Sequence, residues 1–376
     1  MVDRSKQQAE AQSVAFLSAG GYQVTIAPGL LDRIGEIAMA EAPAHRYAVI
    51  SDSNVAPLHA SRVVSSLERS GPSPLLLTVQ AGEAHKTRES WIALTDRLLE
   101  ASFGRDSAII ALGGGVVCDV AGFVAATFMR GVPVVHVPTS LLAMIDASLG
   151  GKTGVDTPHG KNLVGAFHQP SAVVIDPEVL ETLPIDELRS GMAEAIKHGA
   201  IADAAYFDYL AQEAPGLLAE GPGRRDVQAL NYVIEKSVRL KLGVVATDER
   251  EAGARKALNF GHTIGHAIEM LSGYSMRHGE AVGVGMLLEA TAAEREGITE
   301  TGTAARIRSA LVAAGLPTER PSGQLASRIV ESMRSDKKSR GGVTEYSVPR
   351  RIGVMAAADS GYSVRLPDSV VEEVLG

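Results

Sequence analysis

Cysteine is almost missing from this chain: among 376 residues there is one, Cys118. No internal disulfide can form, and a reducing compartment, by default the cytoplasm, is expected. Aromatic residues are only 4%, too few for the stacking platforms that hold single-stranded nucleic acid. Positive charge is also in short supply. Lys and Arg number 36 against 44 Asp and Glu, a net charge of −8. That excludes nucleic-acid binding through a general basic field, though not a local cationic site. No apolar run reaches the ~18 residues that mark a membrane helix, so no membrane partner is expected. The first residues (Met1-Val2-Asp3-Arg4-Ser5-Lys6-Gln7-Gln8) contain no apolar core of the secretory kind, so no signal peptide is expected. What is present, 45% hydrophobic and 21% charged residues, is ordinary globular composition, in a chain long enough for two domains and a large core.

The two halves differ in texture. In the first, apolar β-type runs at 47–51, 75–79, 107–112, 134–138 and 172–176 alternate with helical patterns. Continuous apolar strands separated by helices predict a parallel sheet covered on both faces. From about Pro184 helical patterns dominate, at roughly 186–213, 226–245, 256–272, 279–297, 301–315 and 322–335. A short β-type pair at 345–348 and 352–356 and a final amphipathic turn or helix close the chain.

The segment Asn259-Phe260-Gly261-His262-Thr263-Ile264-Gly265-His266 reads as helical and sets two histidines at i, i+4 on one face, with His278 following. Imidazoles one turn apart can converge on a borderline cation such as zinc, or simply be hydrogen-bonded helix histidines. The zincin pattern requires Glu directly after the first His. Thr263 stands there, which argues against protease chemistry. Glu194 and Lys197 are spaced i, i+3 and offer either a third metal ligand or an ion pair. Arg255, Asn259 and His262 are spaced as one helical face, apt for an anionic substrate beside a metal. In the first half, Gly113-Gly114-Gly115 follows a strand and opens a helix. It can cradle a phosphate at the helix N-terminus or serve as a tight turn. Asp52 and Asn54 follow one strand, and Glu83 and Lys86 another. They suit ribose and phosphate, or a cap and a solvated loop. Asp146, Lys152, Asp156, Lys161 and Asn162 lie among glycines that imply tight turns or close approach to a ligand.

Together, 113–131 (GGGVVCDVAGFVAATFMRG), 138–165 (PTSLLAMIDASLGGKTGVDTPHGKNLVG), 191–198, 259–269 and 278–281 resemble the 3-dehydroquinate synthase family of sugar phosphate cyclases. The similarity runs from about Ser51 to Ile352. It implies an N-terminal, Rossmann-like α/β NAD-binding domain at 1–183 and an all-α metal- and substrate-binding domain at 184–376. The substrate would lie in the cleft, and the protein would be a homodimer. It also implies the second step of the shikimate pathway, a lyase reaction. 3-deoxy-D-arabino-heptulosonate 7-phosphate gives 3-dehydroquinate and phosphate, with catalytic NAD and Zn2+ or Co2+.

By motif position the metal ligands would be Glu194, His262 and His278. His266 would then be a non-ligand that contacts substrate and helps proton transfer. Substrate contacts would be Asp146, Lys152, Asn162, Lys197, Lys241, Arg255, Asn259, His266 and one of Lys337 and Lys338, with Arg130 reaching the neighbouring subunit's phosphate site. NAD contacts would be Asp52, Asn54, Glu83, Lys86, Gly114, Gly115, Asp119, Thr139, Ser140, Lys152, Lys161, Thr182, Leu183 and Glu187. Cys118 replaces the family's usual Gly, and Ser140 its second Thr. Rival readings are another sugar phosphate cyclase, a metal-dependent polyol dehydrogenase and a non-catalytic binding protein.

Overall fold

The computed structural model describes residues 14–17, 20–71, 73–219, 226–335 and 344–376. Lys337 and Lys338 lie outside them. Residues Met1–Leu183 and Pro184–Gly376 form two compact units.

Unit 1 runs β1 (Val14–Leu17), β2 (Gln23–Ile26), α1 (Ile34–Glu41), β3 (Arg46–Asp52), α2 (Ser61–Ser70), β4 (Leu75–Val79), α3 (Arg88–Glu100), β5 (Ser107–Gly113), α4 (Gly115–Thr127), β6 (Val134–Pro138), β7 (Lys152–Thr157), β8 (Gly160–Phe167) and β9 (Ala172–Ile175). Seven strands form one sheet in the order β1-β2-β9-β6-β5-β3-β4, parallel except for β1 at the edge. Every residue of β5, β6 and β9 is buried, which is why these strands read as unbroken apolar runs. Helix α4 sits in the core beneath them. Its Val117, Val120, Ala121, Val124 and Ala125 pack with Ile109, Ala111 and Val134.

The glycine-rich stretch, whose glycines implied tight turns or close approach to a ligand, leads into an antiparallel hairpin of β7 and β8. Gly154 faces Gly165 across it. A Cβ on Gly165 would run into the carbonyl of Thr153, so the two backbones approach as only glycine permits.

Unit 2 consists of α5 (Ile185–Ala202), α6 (Ala204–Leu217), α7 (Val227–Thr247), α8 (His262–Leu271), α9 (His278–Arg295), α10 (Thr303–Ala313), α11 (Ala326–Ser335), the short antiparallel pair β10 (Pro349–Arg351) and β11 (Val354–Met355), and α12 (Asp368–Leu375). Two expected helices are each divided. The pattern at 186–213 breaks at Asp203, whose carboxylate accepts the Tyr206 N–H at 3.0 Å and caps α6. The pattern at 256–272 breaks at Phe260 and Gly261. Ala254–Asn259 is a 3-10 turn, Gly261 is left-handed with φ 79°, and α8 starts at His262. Arg255 and Asn259 therefore do not share a helix face with His262, as their spacing had implied. Helices α8 and α9 lie backbone to backbone. A Cβ on Gly285 would strike the Gly261 carbonyl, and one on Gly265 would come within 2.9 Å of the Ala281 carbonyl.

Candidate active site

In unit 1 the polar groups gather at the C-terminal ends of adjacent parallel strands, the edge where open α/β sheets bind ligands. Asp52 ends β3, and its Oδ1 accepts the N–H groups of Asn54 (2.8 Å) and Val55 (3.0 Å). Strand β5 ends at Gly113 and α4 begins at Gly115, so the glycine segment presents the N-terminus of a buried helix. The Thr139 N–H, after β6, donates to the Gly113 carbonyl at 2.9 Å. Ser140 Oγ accepts the Ala143 N–H at 3.2 Å. Thr182 Oγ1 lies 3.0 Å from His59 Nε2, and the Leu183 N–H donates to the Leu180 carbonyl at 3.1 Å.

A half-buried charge network, with only Lys86 itself buried, adjoins this edge. Lys86 Nζ meets Asp119 Oδ2 at 2.5 Å, and Lys161 Nζ meets Glu83 Oε1 at 2.8 Å. Burial alone would pull Lys86 down, but Asp119, Glu83 and Asp156 together hold its pKa above the usual lysine range. Asp156 donates its N–H to the Lys86 carbonyl at 2.7 Å and accepts the Asn162 N–H at 2.8 Å. Asn162 itself is left-handed, φ 52°. Lys152 is exposed at the start of β7, and Asp146 is half-buried. Arg130 (φ 70°) follows Met129 (φ 50°) in a turn that closes on Gly131. Cys118 is buried in α4, and burial, helped by Asp119, pushes its thiol up.

In unit 2 the structure gathers Glu194 from α5, His262 and His266 from α8, and His278 from α9. Glu194 is fully buried. One of its oxygens pairs with Lys197 Nζ. The other lies 3.6 Å from His262 Nε2 and 3.5 Å from His278 Nε2. The ligand atoms of Glu194, His262 and His278 all fall within 4.8 Å of one another. The His266 ring is 5.1 Å from that of His262 and 5.8 Å from that of His278, centroid to centroid. Each of these two rings from the trio has its other nitrogen engaged: His262 Nδ1 with the Phe260 carbonyl at 3.1 Å, and His278 Nδ1 with Glu269 Oε2 at 3.4 Å. Burial pulls the His278 pKa down, but Glu194 and Glu269 outweigh it and hold it up at about 9.

Of the other expected site residues of unit 2, Arg255 and Lys241 are buried, Asn259 is half-buried and Glu187 is exposed. Arg255 donates to the Glu249 carbonyl, and the Asn259 amide to Glu251. Lys241 is buried on α7. Glu187 pairs with Arg277 at 3.1 Å. Two buried carboxylates escaped the sequence reading. Glu269 sits seven residues after His262 on the same helix, a spacing that places it on the His262 face. Glu289, on α9, accepts the N–H groups of Gly261 (2.8 Å) and Ile264 (3.0 Å). Nothing in the spacing of its own helix points to that.

Two family models match the chain: 3-dehydroquinate synthase N-terminal over residues 76–190, and 3-dehydroquinate synthase C-terminal over 191–339. A 3-dehydroquinate synthase of Symbiobacterium thermophilum is 45% identical over 334 residues, 88% of this chain and 92% of that protein. Among solved structures, 2-deoxy-scyllo-inosose synthase complexed with carbaglucose-6-phosphate, NAD+ and Co2+ superposes with a TM-score of 0.87 at 25% identity, covering 96% of this chain and 99% of that one. The 2-epi-5-epi-valiolone synthase of Streptomyces hygroscopicus, with NAD+ and Zn2+ bound, gives 0.83 at 27% identity, covering 94% and 95%.

Proposed function

This chain belongs to the 3-dehydroquinate synthase family, and from that premise we propose that it converts 3-deoxy-D-arabino-heptulosonate 7-phosphate to 3-dehydroquinate and phosphate, with catalytic NAD and a divalent metal. The observation that carries the reading is the convergence of Glu194, His262 and His278. Two imidazoles and a carboxylate are a donor set that catalytic zinc takes while keeping a coordination position open. The NAD+ with Co2+ or Zn2+ in the solved cyclases supports the same pair of cofactors here. When bound, the dinucleotide supplies a reversible hydride acceptor and the metal a Lewis acid that acidifies a hydroxyl.

Residues 1–183 are the proposed NAD-binding unit and 184–376 the metal- and substrate-binding unit. In the second, Glu194, His262 and His278 would hold the metal. Lys197 balances the buried Glu194 charge. His266 stands beside the trio without joining it and would hold or move a proton at its imidazole. Lys241 and Arg255, both buried cations, would take the substrate carboxylate. In the first unit, Lys152, Asn162 and Arg130 are the proposed phosphate ligands, and the strand-end groups from Asp52 to Leu183 hold the dinucleotide. A substrate with a carboxylate and a phosphate favours this reading over a polyol dehydrogenase, whose substrate would leave these cations unused. The 45% identity to a 3-dehydroquinate synthase, against 25–27% to the other cyclases, favours it over their reactions. The reading includes a homodimer in the cytoplasm, with Arg130 acting across the dimer interface.

Elemental analysis of two variants tests the ligand assignment. His262→Ala should lose metal and activity together, whereas His266→Ala should keep metal and lose rate. Equal metal in wild type and His262→Ala would defeat the assignment.

A further inference from the structure

Helix α8 opens without a side-chain cap of its own. Its N-cap is Gly261, held left-handed at φ 79°, and a Cβ there would strike the Met286 side chain and crowd the Val282 carbonyl. A carboxylate from the neighbouring helix does the capping instead. Glu289 is fully buried and accepts the N–H groups of Gly261 and Ile264 at 2.8 and 3.0 Å. A negative group at a helix N-terminus is favoured by the helix dipole.

The consequence reaches the metal trio because one peptide unit serves both partners. The N–H of the Phe260–Gly261 peptide donates to Glu289. The carbonyl of that same peptide accepts from His262 Nδ1 at 3.1 Å. A carbonyl only accepts, so Nδ1 must carry a hydrogen, which in the neutral ring leaves Nε2 as the lone-pair nitrogen. Nε2 is the atom that faces Glu194. The chain from carboxylate to peptide to imidazole resembles the carboxylate–histidine arrangement around zinc, with a peptide inserted between the two.

We propose that Glu289 is a positioning residue of the metal site: acting through the Phe260–Gly261 peptide, its carboxylate fixes the tautomer and the aim of His262. The inference rests on the reading of Glu194, His262 and His278 as metal ligands. It goes beyond that reading by adding a group that touches neither metal nor substrate. Glu289→Gln is nearly isosteric but cannot accept both N–H groups with one amide, since its NH2 would face a donor.

The test is a Co2+ titration of metal-stripped protein, read by visible absorption against a competing chelator, on wild type, Glu289→Gln and His262→Ala. Outer partners of ligating histidines carry about 10–100-fold in affinity. A group acting through a peptide is expected to carry about tenfold. If His262→Ala abolishes binding and Glu289→Gln binds like wild type, the positioning role is overturned while the metal reading stands. If His262→Ala binds like wild type, the metal reading itself fails. The second readout is the 15N spectrum of the His262 ring in the metal-free wild-type protein. It reports the tautomer directly and does not follow overall stability. Protonated Nδ1 is expected; protonation at Nε2 alone overturns the proposal even if Glu289→Gln does not fold.

Discussion

Replacing Glu194 by Gln removes one charge from a fully buried group of unit 2, and the structure sets what should follow. In the metal-free protein the Glu194 carboxylate is held between the Lys197 ammonium and two imidazoles. Lys197 is only 1% exposed. Glutamine keeps the shape but strands that ammonium without its countercharge. Removing one partner of a buried pair costs about 3–5 kcal/mol, a large part of the ~5–15 kcal/mol by which a domain is stable. Replacing both partners, as Glu194→Gln with Lys197→Met, removes the stranded charge and should restore most of the loss. The assay is urea unfolding of the metal-free single and double variants, followed by NMR titration of His278. Glu194 is one of two carboxylates that hold His278 at about 9 rather than the ordinary 6.5, so its pKa should fall in Glu194→Gln. The sign follows from linkage. A raised histidine stabilises the metal-free fold fully below its unfolded pKa, and that contribution fades as pH rises through 9. Glu194→Gln should therefore flatten the decline of stability above neutral pH. A single variant within about 0.5 kcal/mol of wild type, in the range of ordinary surface changes, together with an unshifted His278, would refute the buried pairing.

Two other outcomes follow from packing. Gly285→Ala drives a methyl into the Gly261 carbonyl, so it should cost at least the roughly 1–3 kcal/mol of an overpacked core and lower Co2+ affinity through α8; normal stability by urea unfolding would contradict the close α8–α9 packing. Cys118 is buried with its thiol pushed up, so a thiol reagent should label it only in denaturant, and fast labelling of the native protein at neutral pH would show that α4 is open there.

Much of the sheet was legible because burial on both faces leaves a simple mark. Strands β3, β5, β6 and β9 are apolar runs where the pattern predicted them, and β4, at the sheet edge, was legible from its apolar composition although only Leu77 of it is buried. The hairpin of β7 and β8 left no such mark. Its core is a pair of facing glycines, and Leu163, Val164 and Phe167 on β8 are exposed, so neither alternation nor a buried run appears. The break before α8 was hidden for another reason: apolar periodicity runs through Phe260 and Ile264, and only the left-handed demand on Gly261 stops the helix. At the Glu194–His262–His278 cluster, spacing offered the His262–His266 pair and left Glu194 as either a ligand or an ion-pair partner, and the family resemblance selected the three. The spacing of Glu194 and Lys197 showed an ion pair but not that it lies wholly out of water. Glu289 depends on two helices touching along glycines, a fact of packing with no counterpart in local pattern.

The central claim is that this protein recycles its dinucleotide while eliminating phosphate from a sugar acid. It is tested most directly by supplying the heptulosonate phosphate in large excess over NAD, with Zn2+ or Co2+, and following inorganic phosphate and absorbance at the NADH band together. All the substrate should release phosphate, and no NADH should accumulate. Phosphate release that stops when the NAD is consumed, with an equal amount of NADH formed, would contradict the claim.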